Sequence, residues 1–283
     1  MATTTIALIL AAAVIHASWN LVLKRTGDTL ITLWLSTVVA AALMAPALLA
    51  QPAAAPVLWG HAALAALIET GYVVALAHAY RTADFSLVYP IARGAAPALL
   101  ALWAWWLLGE RPDAGGALGL ALVLVGLVLV GLAPQRHDRG ATMAGSAQAL
   151  LVAACISGYS IIDAAGVRLG GAAAYTPLRF VLAALLVTLL VLARQRDVWA
   201  RARAVFRPAL IVGCGNLGAY ALVLAAYGTA PVAYAGALRE ISIVIGALAG
   251  WRLFGEPFGA RRVIGAGIIA AGIVVIAGWG GLA

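Results

Sequence analysis

The 283-residue sequence is poor in charge. Asp, Glu, Lys and Arg make up 10% of it, against about 25% in ordinary soluble domains. With hydrophobic residues at 65%, the chain has too few polar groups to cover a water-facing surface, which excludes a soluble globular protein. No polar stretch exceeds about 20 residues, so there is no room for a separate soluble domain. The two cysteines, Cys155 and Cys214, both fall in apolar runs and read as small core residues rather than a disulfide or metal pair. There are four histidines and no His-Glu-x-x-His. Gly-x-Ser-x-Gly and Walker-type loops are missing too, so no metal site and no cofactor is implied. No basic region precedes the first apolar run, MATTTIALIL, which reads as a membrane span rather than a cleaved leader.

What is present is apolar sequence carrying 31 glycines, an ordinary content for packed membrane helices. A span needs about 20 apolar residues. Ten candidates follow: 3–23, 30–50, 57–80, 84–108, 113–133, 143–163, 172–192, 206–229, 232–254 and 259–281. The expected fold class is an all-α membrane protein of ten transmembrane helices. The formal charge of +8 carries no nucleic-acid motif and is a matter of topology. Loops after odd-numbered spans hold nearly all the basic residues, among them Lys24, Arg25, Arg81, Arg136, Arg194, Arg203 and Arg262, whereas the other face holds Arg111 and Arg168. The positive-inside rule then places the odd-span loops in the cytoplasm and both termini outside.

The chain repeats itself at a distance of 146 or 147 residues. Tyr80, Thr82, Arg93, Gly109, Glu110, Gly119 and Gly126 recur as Tyr227, Thr229, Arg239, Gly255, Glu256, Gly265 and Gly272, and Glu69-Thr-Gly71 sits opposite Asn216-Leu-Gly218. Two halves follow, residues 1–139 and 140–283, each of five spans. An odd number of spans per half makes the second enter the membrane from the opposite side, an inverted-topology repeat with its pseudo-two-fold axis in the membrane plane.

The motifs His-Ala-Ser-Trp-Asn (16–20) with Lys24-Arg25, Ala79-Tyr80 through Pro90-Ile-Ala-Arg-Gly94, Gly-Glu (109–110) and Gly-Glu-Pro (255–257) occur in an order and spacing that resembles the drug/metabolite transporter superfamily, EamA type. The resemblance covers nearly the whole chain. It implies two inverted five-helix bundles that move small organic metabolites across a bacterial inner membrane, often outward. Leu238-Arg-Glu-Ile-Ser242 is also similar to a subset associated with phosphonate utilisation. The superfamily is broad in substrate, so membership names none.

Six charges fall near mid-span: Glu69, Arg93, Asp163, Arg179, Arg239 and Glu240. A charge at that depth costs about 2.5–3.5 kcal/mol on insertion scales, so each must face a partner or a watery cavity. They either pair to hold helices together or line a substrate site. Helical spacing puts His16, Asn20 and Lys24 on one face of the first span. It likewise aligns Glu69 with Tyr72, Tyr89 with Arg93, Tyr159 with Asp163, Tyr175 with Arg179, Asn216 with Tyr220, and Arg239 with Ser242. The fifth and tenth spans have no such stripe and carry glycines, which suits close packing. Converging stripes would form a pocket from Asn20, Glu69, Tyr72, Tyr89, Arg93, Tyr159, Arg179, Asn216, Tyr220, Arg239 and Glu240. Such a pocket suits a zwitterion or an organic anion, amino-acid-like or phosphonate-like, because a guanidinium fork binds two oxygens at once. Glu240 follows Arg239 and points about 100° away on a continuous helix, so the two should serve different partners. Glu69, Asp163 and His16 are candidates for proton coupling. Glu110 and Glu256 close helices at the interface and read as structural, and Trp103, Trp105 and Trp106 read as lipid contact or interfacial belt.

The reading is a secondary transporter whose partners are a small-molecule substrate and the lipid bilayer, with no nucleic acid. The alternatives are a membrane-embedded enzyme, which short loops leave little room to build, or a structural or sensory membrane protein. The sequence fixes no oligomeric state, and a monomer satisfies it. The charge bias yields a first test. A C-terminal reporter active only in the cytoplasm is expected to stay dark, and strong signal overturns the assigned orientation.

Overall fold

Backbone amides in hydrocarbon have no water to bond, so apolar runs of this length must satisfy themselves as helices. The computed structural model is all-helical, with no strand among the described residues. It describes residues 1–51, 54–82, 85–131, 139–254 and 260–281; side chains at 24, 77, 80–82, 85–90, 131, 139–143, 246–247, 249–251, 253–254 and 260–262 lie outside the description. The elements are α1 (Thr3–Lys24), α2 (Thr29–Ala50), α3 (Pro56–Thr82), α4 (Phe85–Leu108), α5 (Ala114–Gly131), α6 (Arg139–Arg194), α7 (Val198–Ala204), α8 (Phe206–Tyr227), α9 (Val232–Arg239), α10 (Ile241–Phe254) and α11 (Ala260–Trp279).

Among the described residues, six helices are long and apolar enough to cross a membrane, and α5 and α11 hold shorter apolar stretches. Their outer faces are apolar and open. Leu49 is 85% exposed, Trp106 74% and Val274 66%, a surface that only lipid covers without cost.

Three features depart from the expected spans. Residues 143–192 were expected as two helices with a loop. The two helices are there, both within α6, but the break between them is a tight turn at Gly171 (φ 78, ψ 155) instead of a longer loop, a conformation essentially reserved for glycine. The connection after α6 contains the extra helix α7. Its Val198 and Ala202 pack with Ile31, Trp34, Val187 and Val191, while Arg201 donates from Nε to Asp28 Oδ2 at 2.7 Å and from Nη1 to Gln195 Oε1 at 3.1 Å. The third departure lies in the ninth span, which is interrupted at Glu240. The bonds there are Glu240 N–H to Ala237 O at 3.1 Å and Ile243 N–H to Glu240 O at 2.9 Å, an i→i+3 pattern tighter than the α-helix.

The helices of the first half pack chiefly on those of the second. α3 lies on α6, α1 on α8, α2 on α6, α4 on α6 and α9, and α5 on α11. Several of these pairs run antiparallel. Trp19 meets Gly215 while Thr5 bonds Thr229 across α1 and the end of α8, and Leu58 meets Gly170 while Ile68 meets Gly158 across α3 and α6.

The α5–α11 contact is the closest of all. A Cβ on Gly119 would stand 2.9 Å from Gly272 O, one on Gly272 2.7 Å from Gly119 O, one on Gly126 2.7 Å from Gly265 O, and one on Gly265 2.8 Å from Gly126 O. In the internal repeat Gly119 matches Gly265 and Gly126 matches Gly272. The contacts therefore exchange partners as an isologous two-fold contact does. Asp113 starts α5, accepting from Gly116 N–H at 2.7 Å. That bond, followed by Gly281, holds its carboxyl below the usual carboxylate range.

Gly119→Val should force these backbones apart and cost about 2 kcal/mol. Gly267→Ala is the control, since a Cβ there meets nothing within 4 Å. Melting in detergent checks this: Gly119→Val should melt well below wild type and Gly267→Ala beside it.

Candidate functional site

Three of the elements, α3, α6 and α8, converge on Arg179 and its partners. This residue sits in α6 beyond the Gly171 turn and is 3% exposed. Its Nε donates to Asp163 Oδ1 at 2.8 Å and to Oδ2 at 3.2 Å, and its Nη1 donates to Glu69 Oε2 on α3 at 2.7 Å. Asp163 is fully buried and also accepts from Tyr175 OH at 2.8 Å and from Tyr220 OH on α8 at 2.5 Å. Gly166, one turn beyond Asp163, makes the Tyr175 contact possible, since a Cβ there would stand 2.2 Å from the Tyr175 ring. Asp163 was placed near the end of the sixth span. Because α6 continues past it, it is an interior residue with both oxygens occupied.

A second group forms where α4 meets the α9–α10 interruption. Arg93 Nη2 lies 3.0 Å from Glu240 Oε2 and donates to Ser242 Oγ at 3.4 Å. Arg239 Nε is 3.9 Å from Glu240 Oε1, has no hydrogen-bond partner, and belongs to a residue 7% exposed. The expectation that Glu240 and Arg239 serve different partners therefore meets a definite geometry, in which the close partner of Glu240 is Arg93. Tyr159, Tyr220 and Tyr227 lie in the electrostatic field of Arg239, and His16 lies in the field of both Arg93 and Arg239.

Aromatic rings join the two groups. Tyr159 is edge-on to Tyr72, with centroids 6.1 Å apart, and to Tyr220, at 6.3 Å. The Arg179 guanidinium carbon sits 5.7 Å from its centroid, within cation–π range. The Tyr159 hydroxyl feels Arg239, Glu69 and Arg93 together. Glu69, Tyr72, Arg93, Tyr159, Arg179, Tyr220, Arg239 and Glu240 thus gather in one region drawn from both halves.

Other expected members are less engaged. Asn20 Nδ2 donates to His16 O at 2.7 Å within its own helix. Asn216 is half-buried and makes no side-chain hydrogen bond among the described residues. The Tyr89 side chain and Glu256 lie outside the described residues. Trp103, expected in lipid contact, donates from Nε1 to Ser157 Oγ at 3.2 Å, whereas Trp105 and Trp106 are open. Cys214, expected in the core, is exposed. Tyr175 and Tyr227 were missed as site members. Tyr175 precedes Arg179 by one turn, and Tyr227 follows Tyr220 by two turns on one face of α8, so helical spacing could have found both. Tyr227 is fully buried with its hydroxyl unbonded.

Toward one end of the molecule, Glu110 caps α9. Its carboxylate is 3% exposed and accepts from Val232 N–H at 2.8 and 3.0 Å and from Ala233 N–H at 3.4 Å. Arg168 donates to the same carboxylate and to the carbonyls of Tyr227 at 3.5 Å and Ala230 at 3.4 Å.

The two carboxylates on Arg179 should differ in consequence. Asp163→Asn is expected to destabilise by about 3–5 kcal/mol, because it takes the ionised acceptor away from Arg179, Tyr175 and Tyr220 in a fully buried cluster. Glu69→Gln, at a side chain 24% exposed, is expected to cost about 1 kcal/mol. Melting temperatures of the two purified variants check the order, and a Glu69→Gln drop as large as that of Asp163→Asn contradicts it.

Comparison with known proteins bears on the family and the fold. The model of the EamA-like transporter family matches residues 3–132 and again residues 143–278. A solved crystal structure superposes with a TM-score of 0.78 at 19% identity, covering 97% of this chain and 96% of its own, a likeness of fold. No curated protein matches. The family model covers the chain almost end to end as two repeats, and the chain belongs to the EamA-like transporter family.

Proposed function

We propose that this protein is a secondary transporter that moves a small polar organic metabolite, a zwitterion or an organic anion, across a bacterial inner membrane by alternating access. Ten spans make up the proposed topology: α6 supplies two across Gly171, and α9 with α10 supply one. The halves, residues 1–139 and 140–283, lie in inverted orientation with both termini outside. The antiparallel pairings between halves and the exchanged glycine contacts of α5 and α11 support the inversion. The proposed direction is outward, following the family resemblance.

The single observation that carries the reading is the gathering of six intramembrane charges from both halves into two ion-paired groups, one of them against the Tyr159 ring. Structural ion pairs alone would leave each charge matched. Here, among the described residues, Arg239 has no hydrogen-bond partner on Nε, and Glu69 is bonded through one oxygen. Charged groups at membrane depth that remain incompletely paired mark solute pathways. α9 and α10 meet at Glu240 in the middle of the proposed span, and discontinuous helices of this kind commonly form transporter binding sites. Rocking of the halves about this region would expose it to each side in turn. Of the groups considered for proton coupling, Asp163 has both oxygens taken, His16 lies in the field of two guanidinium groups, and Glu69 is the open one.

The arginines separate structure from transport. Arg93→Ala leaves Glu240 without its close partner and is expected to destabilise the protein. Arg239→Ala keeps the Arg93–Glu240 pair and should stay folded. Its saturable flux in reconstituted vesicles should fall about tenfold to a hundredfold, as expected for losing a charge-assisted bond to solute. Unchanged flux in a folded Arg239→Ala protein, or no flux of any solute by wild type, would sink the proposal.

A further inference from the structure

The six intramembrane charges do not cancel group by group. Arg179 serves two carboxylates, Asp163 and Glu69, which leaves that group one negative charge in excess. Glu240 serves two guanidinium groups, Arg93 and Arg239, which leaves the other group one positive charge in excess. No ion pair joins the two groups among the described residues. A residual charge at this depth is costly unless something balances it.

Each excess can be traced to a residue. Both oxygens of Asp163 are occupied by Arg179, Tyr175 and Tyr220, and its side chain is wholly buried. Among the described residues Glu69 is bonded through Oε2 alone, and its side chain is 24% exposed, so the surplus negative charge resides there. Glu240 lies against Arg93 at 3.0 Å, nearly an ångström closer than its 3.9 Å approach to Arg239. Arg239 is more than nine-tenths buried, and its closest carboxylate among the described residues is that 3.9 Å contact, so the surplus positive charge resides there. Tyr159 links the two groups: its ring lies 5.7 Å from the Arg179 guanidinium that holds Glu69, and it packs in one cluster with Ala92 and Ala96 of α4, which flank Arg93 and so the Glu240 beside Arg239.

Resting on the transport reading above, we infer that this region recognises a dipolar solute, with its anionic group on Arg239 and its cationic group on Glu69. A simple anion would balance Arg239 and leave Glu69 uncompensated, and a simple cation would do the reverse. Only a solute carrying both charges balances both groups at once. Arg93 is then a positioning residue. It holds Glu240 and so leaves the Arg239 fork open to two oxygens of a carboxylate or phosphonate. The rival assignment makes Glu69 a proton carrier beside a purely anionic solute.

Matched probes separate these assignments. The full chain in lipid nanodiscs is titrated with glycine, β-alanine, γ-aminobutyrate and aminomethylphosphonate, each beside its N-acetyl form and each carboxylate beside its amide. At least one parent compound should bind, with its N-acetyl and amide forms about tenfold weaker or worse. Glu69→Gln should erase the preference for amine over N-acetyl and keep the preference for acid over amide. Arg239→Gln should do the opposite. A variant that does not fold is replaced by Glu69→Asp or Arg239→Lys, which keep the charge at a shifted position and should give intermediate selectivity. The inference is overturned if N-acetyl forms bind as well as their parents, if Arg239→Gln still prefers acid to amide, or if no probe binds folded wild type. Selective binding without vesicle flux supports this inference and removes the transport reading. Flux of an anion that is indifferent to Glu69→Gln keeps the transport reading and removes this inference.

Discussion

A guanidinium among apolar helices has to meet carboxylates, and Arg179 meets two. That requirement ties together segments far apart in sequence. Glu69 comes from α3, Asp163 from α6 before Gly171, and Arg179 from α6 after it. Tyr220 adds α8 through the same carboxylate. The Gly171 turn is what lets one continuous helical stretch supply both the acid and the base. A straight helix of 56 residues would carry Asp163 and Arg179 about 24 Å apart along its axis, too far for any ion pair.

The glycine contact of α5 and α11 imposes the second constraint. Without Cβ atoms the two backbones approach until carbonyl oxygens fill the places where side chains would begin. Because the same residues recur in both halves, one close contact specifies the other. The charged groups do not follow this symmetry. Gly94 follows Arg93, whereas Glu240 follows Arg239, and the single carboxylate has to choose. It sits closer to the arginine from the other half of the chain. The paired glycine contacts thus follow the repeat, whereas the charges around Glu240 do not.

Hydropathy made the long helices legible, because each must satisfy its backbone internally and show its surface to lipid. The repeat was legible because Arg93 and Arg239 stand in matching surroundings. The pairing of charges was not. Spacing along one helix says which residues share a face, but Arg179 bonds Glu69 from a segment 110 residues away, and only the crossing of helices decides that. Local breaks were legible in part. The gap between the sixth and seventh candidate spans contains Gly170-Gly171, but its narrowing to a single residue of positive φ was not marked. The interruption at Glu240 was hidden, because the sequence is apolar on both sides of Arg239-Glu240 and a continuous helix was the natural expectation. Glu110 was expected to be structural at the interface, and its three backbone bonds fit that part.

Those bonds matter to the site through α9. Glu110 and Arg168 hold its first turn, and Arg239 is its last residue. Eight helical residues span about 12 Å, short enough to move as one rigid piece. A glutamate from the loop after α4 and an arginine beside Glu240 therefore stand at opposite ends of the same rod. At Glu240 the backbone tightens to i→i+3 bonds, which sets α9 off from α10. Glu240 stands on that seam, 3.0 Å from Arg93 of α4 and 3.9 Å from Arg239. The capped end of α9 therefore fixes the backbone that carries Arg239, while α4 supplies the closer partner of the neighbouring Glu240.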